Sequence, residues 1–381
     1  MRKRFLPILL LLSIALLCLP VGAAPSGAAP TVSAQSALLL DAEHGLVLYE
    51  KDADRRLPMA STTKIMTALT ALTHAAPETV IRVTPEAVGA EGSSVYLTAG
   101  EELTLQELLY ALLLQSANDA AEAIAIGIGG SVAGFAGLMN AECDRLGLTD
   151  THFANPHGLD TEDHYTTARE LAIITHEALA VPLLRQIVGT VKATIPQGDQ
   201  PDARLLVNHN KLLRTYDGAI GVKTGFTKKS GRCLVSAAER DGLTLIAVTL
   251  NAPDDWRDHA ALLDYGFAQY QTVSLCRAGD SAGTLPVTGG EADTAALRYA
   301  ESRTAMLPVG HKPITVTVEA PHFLFAPVGA DTACGEAVYS CDLDGDGKAE
   351  EIARVPLVTG ASVARTEPEK HGFFDRLKRI F

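Results

Sequence analysis

The sequence predicts a mixed α/β protein of two domains, in which a domain with an antiparallel sheet and a helical subdomain precedes a small all-β domain. The chain has 381 residues, more than one hydrophobic core usually supports. Strand-like runs stand at both ends of residues 36–270, and a helix-rich block lies between them. After Gln271 the composition shifts toward Thr, Val, Pro and Gly in short alternating runs, which predicts a β-rich domain over 271–362.

The predicted elements follow from local patterns. Strands are expected where short apolar or β-branched runs are bounded by turn residues, namely at 38–40, 46–49, 190–195, 219–222, 233–239, 243–250 and 314–318. A helix is expected over 61–73, which contains neither Pro nor Gly, and another over 258–270. Thr104 with Glu107, and Thr167 with Glu170, have the spacing of capping boxes and predict the starts of two more helices.

Composition and charge restrict the function. Hydrophobic residues make up 47% and charged residues 20%, which suits a globular protein rather than a disordered one. The formal net charge of −13 argues against nucleic acid as a partner, because nucleic-acid binding depends on clustered Lys and Arg.

The N-terminus has the pattern of an export signal. A basic start, an apolar run and small residues near Ala23 predict a signal peptide over 1–23, and the Ala, Pro and Ser content of 24–35 predicts a linker. A transmembrane anchor and a lipoprotein signal at Cys18 are the alternatives. The remaining cysteines are odd in number, and the sequence leaves open whether Cys334 and Cys341 form a disulfide.

Ser61 and Lys64 are three residues apart at the start of a predicted helix. They therefore share one face about one turn from each other. A serine hydroxyl needs an adjacent base to become a nucleophile, and a lysine with a lowered pKa can be that base. Taken alone, the pair also fits an ordinary helix cap.

Ser116 and Asn118 stand in a polar triplet between two apolar helices. Ser116 can relay a proton to a leaving amine, and the Asn118 amide can hold a peptide carbonyl. The alternative is a helix-to-helix turn capped by Asn118 or Asp119. Lys223, Thr224 and Gly225 end an apolar strand, where the glycine permits close approach of a ligand and the other two present donors for a carboxylate.

Together the three motifs resemble the low-molecular-mass penicillin-binding proteins that are D-alanyl-D-alanine carboxypeptidases of serine peptidase family S11. The resemblance covers nearly the whole mature chain, including the stretches 57–64, 116–120, 153–159 and 221–227. It implies a penicillin-binding/β-lactamase-like catalytic domain over 36–270, with no cofactor and no metal. The implied partners are peptidoglycan stem peptides and β-lactam antibiotics, and the implied location is the outer face of the bacterial cytoplasmic membrane.

The resemblance also implies roles for individual residues. Ser61 attacks the penultimate D-Ala of a stem pentapeptide with Lys64 as base, and water then hydrolyses the ester. The backbone N–H groups of Ser61 and Phe226 form the oxyanion hole, and Lys223 and Thr224 hold the terminal carboxylate.

One position departs from the family pattern. In the family an Arg after the strand that follows Lys-Thr-Gly often binds the terminal carboxylate, but Asp255 stands at the corresponding place here. Arg257, two residues later, is the substitute that the sequence offers as a substrate-binding residue.

Two further patterns admit a metal but favour other structures. His152, His157 and His164 lack the carboxylate or Cys spacing of a metal site, which favours a loop around the active site. Residues 342–347 resemble the start of a calcium loop, yet Ala353 occupies its twelfth position, which favours an Asp-Gly hairpin turn.

The predicted tail, 363–381, ends in a stretch with apolar side chains on one helical face and basic residues between them; the apolar residues are Phe373, Phe374, Leu377, Ile380 and Phe381. This pattern predicts an amphipathic anchor lying on an anionic membrane surface. The remaining alternatives for the function are a β-lactamase, a D,D-endopeptidase with the same site, and an inactive β-lactam- or peptidoglycan-binding protein. The first lacks an evident deacylating Glu, and the last would be expected to have lost Ser61 or Lys64.

Overall fold

The computed structural model describes residues 28–198, 200–343 and 347–367. The predicted signal peptide, 1–23, and most of the predicted membrane anchor lie outside these residues. Part of the predicted hairpin turn at 342–347 does so too.

The strands and helices of the two domains alternate as the sequence predicts. The strands are β1 (Ser36–Asp41), β2 (Val47–Lys51), β3 (Val80–Arg82), β4 (Glu102–Thr104), β5 (Lys192–Gln197), β6 (Gln200–Val207), β7 (Ala219–Thr227), β8 (Gly231–Arg240), β9 (Leu243–Leu250), β10 (Tyr270–Cys276), β11 (Ser281–Thr288), β12 (Thr294–Tyr299), β13 (Arg303–Pro308), β14 (Thr315–Glu319), β15 (Leu324–Phe325), β16 (Ala333–Cys341) and β17 (Glu350–Thr359). The helices are α1 (Lys64–His74), α2 (Leu105–Leu114), α3 (Asn118–Gly129), α4 (Val132–Leu146), α5 (Ala168–Ala180), α6 (Pro182–Gly189), α7 (Leu212–Thr215) and α8 (Asp255–Gln269), with 3₁₀ turns at Ala60–Thr63 and Pro85–Ala87.

The first domain is built on a five-stranded antiparallel sheet in the order β2-β1-β9-β8-β7. Its central strands are buried on both faces. In β1, Leu38 packs into the core shared with the helical block, whereas Leu39 packs into the core beneath α8. Because side chains alternate between the faces of a strand, a sheet covered on both sides requires the continuous apolar run seen in β1.

Helix starts follow the predicted capping. The Thr104 side chain accepts from the backbone of Glu107, and the Glu107 carboxylate accepts from the backbone of Thr104, so this capping box is complete. At α5 only half of the box forms, because Glu170 instead accepts hydrogen bonds from residues 149–151. Among the described helices none is by itself long and apolar enough to cross a membrane. Two pairs of helices joined by a sharp bend, α3 with α4 and α5 with α6, have the length and composition of a membrane span, but only when each pair is taken together.

The C-terminal domain is all-β, as predicted. Six strands form a sheet in the order β14-β16-β17-β12-β11-β15, and β10 pairs with β13. Val363 is buried against this domain and pairs with Val328. Val363, the first residue of the predicted anchor, is therefore in contact with the β domain.

The N-terminal segment that was predicted as a linker is partly packed. Val32 and Ala34 are buried, and the carboxylate of Asp258 in α8 accepts hydrogen bonds from Ser33 and from the Ala34 backbone. Residues 32–34 are therefore packed against the first domain.

Cys334 and Cys341 do not form the disulfide that the sequence left open. Both are free thiols and lie at opposite ends of one strand, β16. At about 3.3 Å per residue, seven residues of strand separate them by roughly 23 Å, far beyond the reach of a disulfide.

Candidate active site

Ser61 lies in the 3₁₀ turn that precedes α1, not inside the α-helix itself. The turn is shaped from two sides. Ala60 has a φ of 48°, and Gly158 approaches so closely that a Cβ there would lie 1.9 Å from the Ala60 carbonyl oxygen. A Cβ on Gly225 would lie 2.9 Å from the Ser61 nitrogen. Two glycines from distant parts of the chain are therefore needed to hold this serine against β7.

Lys64 is completely buried one turn beyond Ser61. Its Nζ lies 2.7 Å from Asn118 Oδ1, 2.7 Å from the His157 carbonyl oxygen and 3.1 Å from Ser61 Oγ. Burial lowers the pKa of the Lys64 amine well below its usual range, and the charge of Lys223 lowers it further.

The neutral form of the Lys64 amine can make all three contacts. A neutral amine has two N–H groups and one lone pair, whereas an ammonium has three donors and no acceptor. The two carbonyl oxygens at 2.7 Å accept the two N–H groups. The lone pair is left for the Ser61 hydroxyl, so Lys64 can accept its proton.

Asn118 is fixed at the first residue of α3. Its Oδ1 accepts from Lys64, and its Nδ2 donates to the carbonyl oxygen of Glu91. Gly92 makes this possible, because a Cβ there would lie 2.9 Å from Nδ2. The amide nitrogen carries two hydrogens, and the contact with Glu91 uses one of them.

Ser116 stands in the turn between α2 and α3. Its φ of 60° puts a residue with a side chain in the left-handed region, which is uncommon outside glycine and is frequent at functional sites. Ser116 lines the same cleft as Ser61.

Lys223 is buried on β7, the edge strand of the sheet. Its Nζ donates to the Thr224 carbonyl oxygen at 2.8 Å. Burial lowers the pKa of Lys223 to about 7. A nearby carboxylate would favour its charged form, so the site is poised to gain a full positive charge when an anion binds.

The cleft above these residues has a volume of about 370 Å³. It is lined by Ser61, Ser93, Ser116, His209, Lys211, Thr224, Gly225, Phe226, Arg232, Asp255 and Trp256. Of the residues predicted for the site, those with the buried amine and amide groups, Lys64, Asn118 and Lys223, lie beneath this surface, and Phe226 is exposed at its rim.

The structure does not bring Arg257 to the cleft. Its side chain is 86% exposed, and its nearest carboxylate, of Asp254, is 4.0 Å away. Asp255, which stands where the family has its arginine, is the first residue of α8, and its side chain is buried. Arg257 as a substrate-binding residue therefore stays a prediction, and its exposed position does not support it.

Sequence reasoning also missed the basic side chains that line the cleft. Arg232 is directly opposite Phe226 in the pairing of β7 with β8, so the register of this hairpin could have revealed it. His209 and Lys211 follow β6, a strand that the sequence analysis did not predict. No local signal marked them as part of the site.

Two of the three histidines, His157 and His164, lie in a loop that contacts the turn containing Ser61. His164 Nε2 lies 2.7 Å from Thr63 Oγ1, and the backbone of His157 contacts Lys64. Burial lowers the pKa of His157 to about 3 and that of His164 to about 4, so both stay neutral. Within the described ranges no three His, Cys, Asp or Glu side chains are grouped as a metal site would require.

The site thus combines a serine hydroxyl with a buried lysine amine beside it, a second serine, and a second buried lysine beneath the cleft. This combination is that of a serine acyl-transfer enzyme. Comparison with known proteins agrees. Residues 23–254 match the model of the D-alanyl-D-alanine carboxypeptidase family, peptidase S11. The chain belongs to this family.

Two relatives match about nine tenths of this chain, and a third matches 63% of it. The D-alanyl-D-alanine carboxypeptidase DacF of Bacillus subtilis is 31% identical over 357 residues, which span 91% of this chain and 88% of that protein. Penicillin binding protein 5 from Haemophilus influenzae superposes with a TM-score of 0.70 at 27% identity, covering 89% of this chain and 99% of that chain. The Streptomyces K15 DD-transpeptidase matches 63% of this chain and 99% of its own, with a TM-score of 0.60 and 34% identity.

Proposed function

We propose that this protein is a serine D-alanyl-D-alanine carboxypeptidase that removes the terminal D-alanine from peptidoglycan stem pentapeptides. The observation that supports this proposal most strongly is the set of contacts made by the Lys64 amine. Its Nζ lies 2.7 Å from two carbonyl oxygens and 3.1 Å from Ser61 Oγ, so in the neutral form of the amine the lone pair can accept the Ser61 proton. A buried amine with this arrangement has no evident structural purpose, because burying it costs stability.

In the acylation step Ser61 Oγ attacks the carbonyl carbon of the penultimate D-Ala, and its proton passes to Lys64. The negative charge on the carbonyl oxygen develops between the backbone N–H groups of Ser61 and Phe226. The peptide C–N bond then breaks, and Ser116 relays the proton from Lys64 to the leaving amine of D-alanine, which leaves Lys64 neutral again. Water, deprotonated by Lys64, hydrolyses the resulting ester and restores Ser61.

Substrate binding uses the floor and rim of the cleft. Lys223 and Thr224 bind the terminal carboxylate, and Asn118 holds a backbone carbonyl of the stem peptide through its amide nitrogen. Gly225 leaves room for the substrate and the serine turn to meet. β-Lactams, which combine a carboxylate with a reactive amide, acylate the same serine.

The proposal extends to the location of the enzyme. A signal peptide over 1–23 exports the chain, and the C-terminal residues hold it on the outer face of the cytoplasmic membrane. The basic and apolar pattern of 368–381 supports this placement. Deleting 368–381 should abolish flotation with anionic vesicles and leave hydrolysis of soluble peptides unchanged. Equal flotation of both forms would contradict the anchor.

The catalytic proposal is tested by release of free D-alanine from an acyl-D-Ala-D-Ala peptide. The wild type should release one D-alanine per peptide, and Ser61→Ala should release none. Thr62→Ala is the matched control, since it removes a neighbouring hydroxyl that donates to the Met59 carbonyl and not to the site residues. Release that persists in Ser61→Ala would refute the assignment of the nucleophile.

A further inference from the structure

Arg232 and Asp255 form one wall of the cleft, beside Thr224. In the pairing of β7 with β8, Arg232 is opposite Phe226 and Leu234 is opposite Thr224. Residues opposite each other or two apart on a strand share a face. The side chains of Thr224, Phe226 and Arg232 therefore lie on one face of the sheet, the face that α8 covers.

Asp255 is a buried carboxylate at the start of α8. Its Oδ1 accepts from the backbone of Trp256, and its Oδ2 lies 3.6 Å from Arg232 NH1. Burial raises the pKa of Asp255, and the charge of Arg232 opposes that increase. A buried carboxylate requires a cation or donors nearby, so Asp255 holds one edge of the guanidinium toward α8.

The other edge of that guanidinium remains open to the cleft. The Arg232 side chain is 52% exposed and lines the cleft together with Thr224. An arginine carries five N–H donors in a planar fork, and such a fork binds a carboxylate through two parallel hydrogen bonds.

The charge around the cleft also favours an anion. Arg232 and Lys211 line it and Lys223 lies beneath it, whereas Asp255 is the one acidic residue among the lining side chains that the structure describes. The chain as a whole carries a formal net charge of −13. A local excess of cations on an acidic protein indicates a site selected for a negatively charged ligand.

We propose that Arg232 is a specificity-determining residue that binds the terminal carboxylate of the substrate from the strand β8, and that Asp255 is the positioning residue that orients its guanidinium. This inference rests on the proposed function. It assigns to Arg232 the contact for which the sequence offered Arg257, and it makes the enzyme selective for peptides that end in a free acid.

The test compares an acyl-D-Ala-D-Ala peptide with the same peptide ending in an amide. In Arg232→Gln, kcat/KM for the acid should fall by about tenfold to a hundredfold, as expected for loss of a charged hydrogen bond, whereas kcat/KM for the amide should stay within about twofold. Arg232→Lys should recover part of the loss. Asp255→Ala should lower the preference for the acid by a smaller factor, mainly through KM.

Arg257→Gln is the matched control, because it removes the same charge from an exposed side chain outside the cleft. It should leave the acid-to-amide ratio unchanged. Equal losses on acid and amide in Arg232→Gln would overturn the inference, since they would indicate a structural role only. A wild type that neither cleaves the acid peptide nor forms a penicillin adduct would overturn the proposed function itself.

Discussion

Replacing Lys223 by methionine should stabilise the protein near neutral pH. Burial lowers the pKa of Lys223 from 10.5 to about 7. At 1.36 kcal/mol per pKa unit, this difference corresponds to a penalty of about 5 kcal/mol on the folded state below about pH 7, and the penalty decreases toward zero as the pH rises to 10.5. Methionine has a similar volume, carries no charge and adapts to irregular spaces.

The substitution also removes the hydrogen bond from Lys223 to the Thr224 carbonyl oxygen. Leaving that oxygen without this donor costs about 1–3 kcal/mol. The net gain for Lys223→Met at pH 7 should therefore be about 2–4 kcal/mol in the free energy of unfolding. Binding of the substrate carboxylate should weaken at the same time, because the buried cation is lost.

The sign of the pH dependence follows from proton binding. Between pH 7 and pH 10.5 the unfolded chain holds a proton on Lys223 that the folded protein lacks, so the stability of the wild type rises with pH in this window. Below about pH 7 both states are protonated and the full penalty remains. The advantage of Lys223→Met should thus be largest at pH 7 and below, and should shrink as the pH approaches 10.

Urea unfolding of both proteins at pH 6, 7, 8 and 9 measures this difference directly. Lys229→Met is the matched control, since Lys229 is exposed on the turn after β7 and its replacement should change neither the stability nor its pH slope. A variant Lys223→Met that is less stable than the wild type, by an amount independent of pH, would refute the reasoning.

Three further predictions concern the site and its support. Gly225→Ala places a Cβ 2.9 Å from the Ser61 nitrogen and should slow penicillin acylation by about a hundredfold or more; wild-type rates would contradict the packing argument. In Lys223→Met the loss of acylation rate at low pH should begin at a higher pH, because the charge that lowers the pKa of Lys64 is gone. An unchanged pH profile would contradict the assignment of this loss to Lys64. Arg204→Met removes the cation beside the buried carboxylate of Glu101, which keeps only donors from Thr98 and Gly198 among the described residues. The substitution should cost about 3–5 kcal/mol in urea unfolding, and an unchanged stability would contradict burial of the pair.

Much of the sheet and helical scaffold could be predicted, because its signals are local. The Asp241-Gly242 turn joins β8 to β9, with pairing that runs to Arg240 and Leu243, and the residues at 104–107 form the predicted capping box. Strand β6 and helix α6 were missed. Strand β6 pairs only with β5, and α6 begins directly after α5 at Pro182, so neither has clear boundaries in the sequence.

The sequence predicted most of the residues that form the site, but not how they are arranged in space. The motif residues at 61, 116 and 224–226 line one cleft, and their order along the chain was enough to select them. The strained turn at Ala60 depends on Gly158, nearly a hundred residues away, and no local pattern encodes such an approach. Arg232 was missed for a similar reason, since its position depends on cross-strand register.

The mass of the wild-type protein after incubation with penicillin tests the central claim most directly. Activation of Ser61 by the neutral amine of Lys64 predicts one covalent penicilloyl adduct, located by digestion on the peptide that contains Ser61. Ser61→Ala should form no adduct, and Lys64→Met should form it at least about a hundredfold more slowly, as expected on removing a general base. An adduct on another residue, or one that forms equally fast without Lys64, would contradict the account.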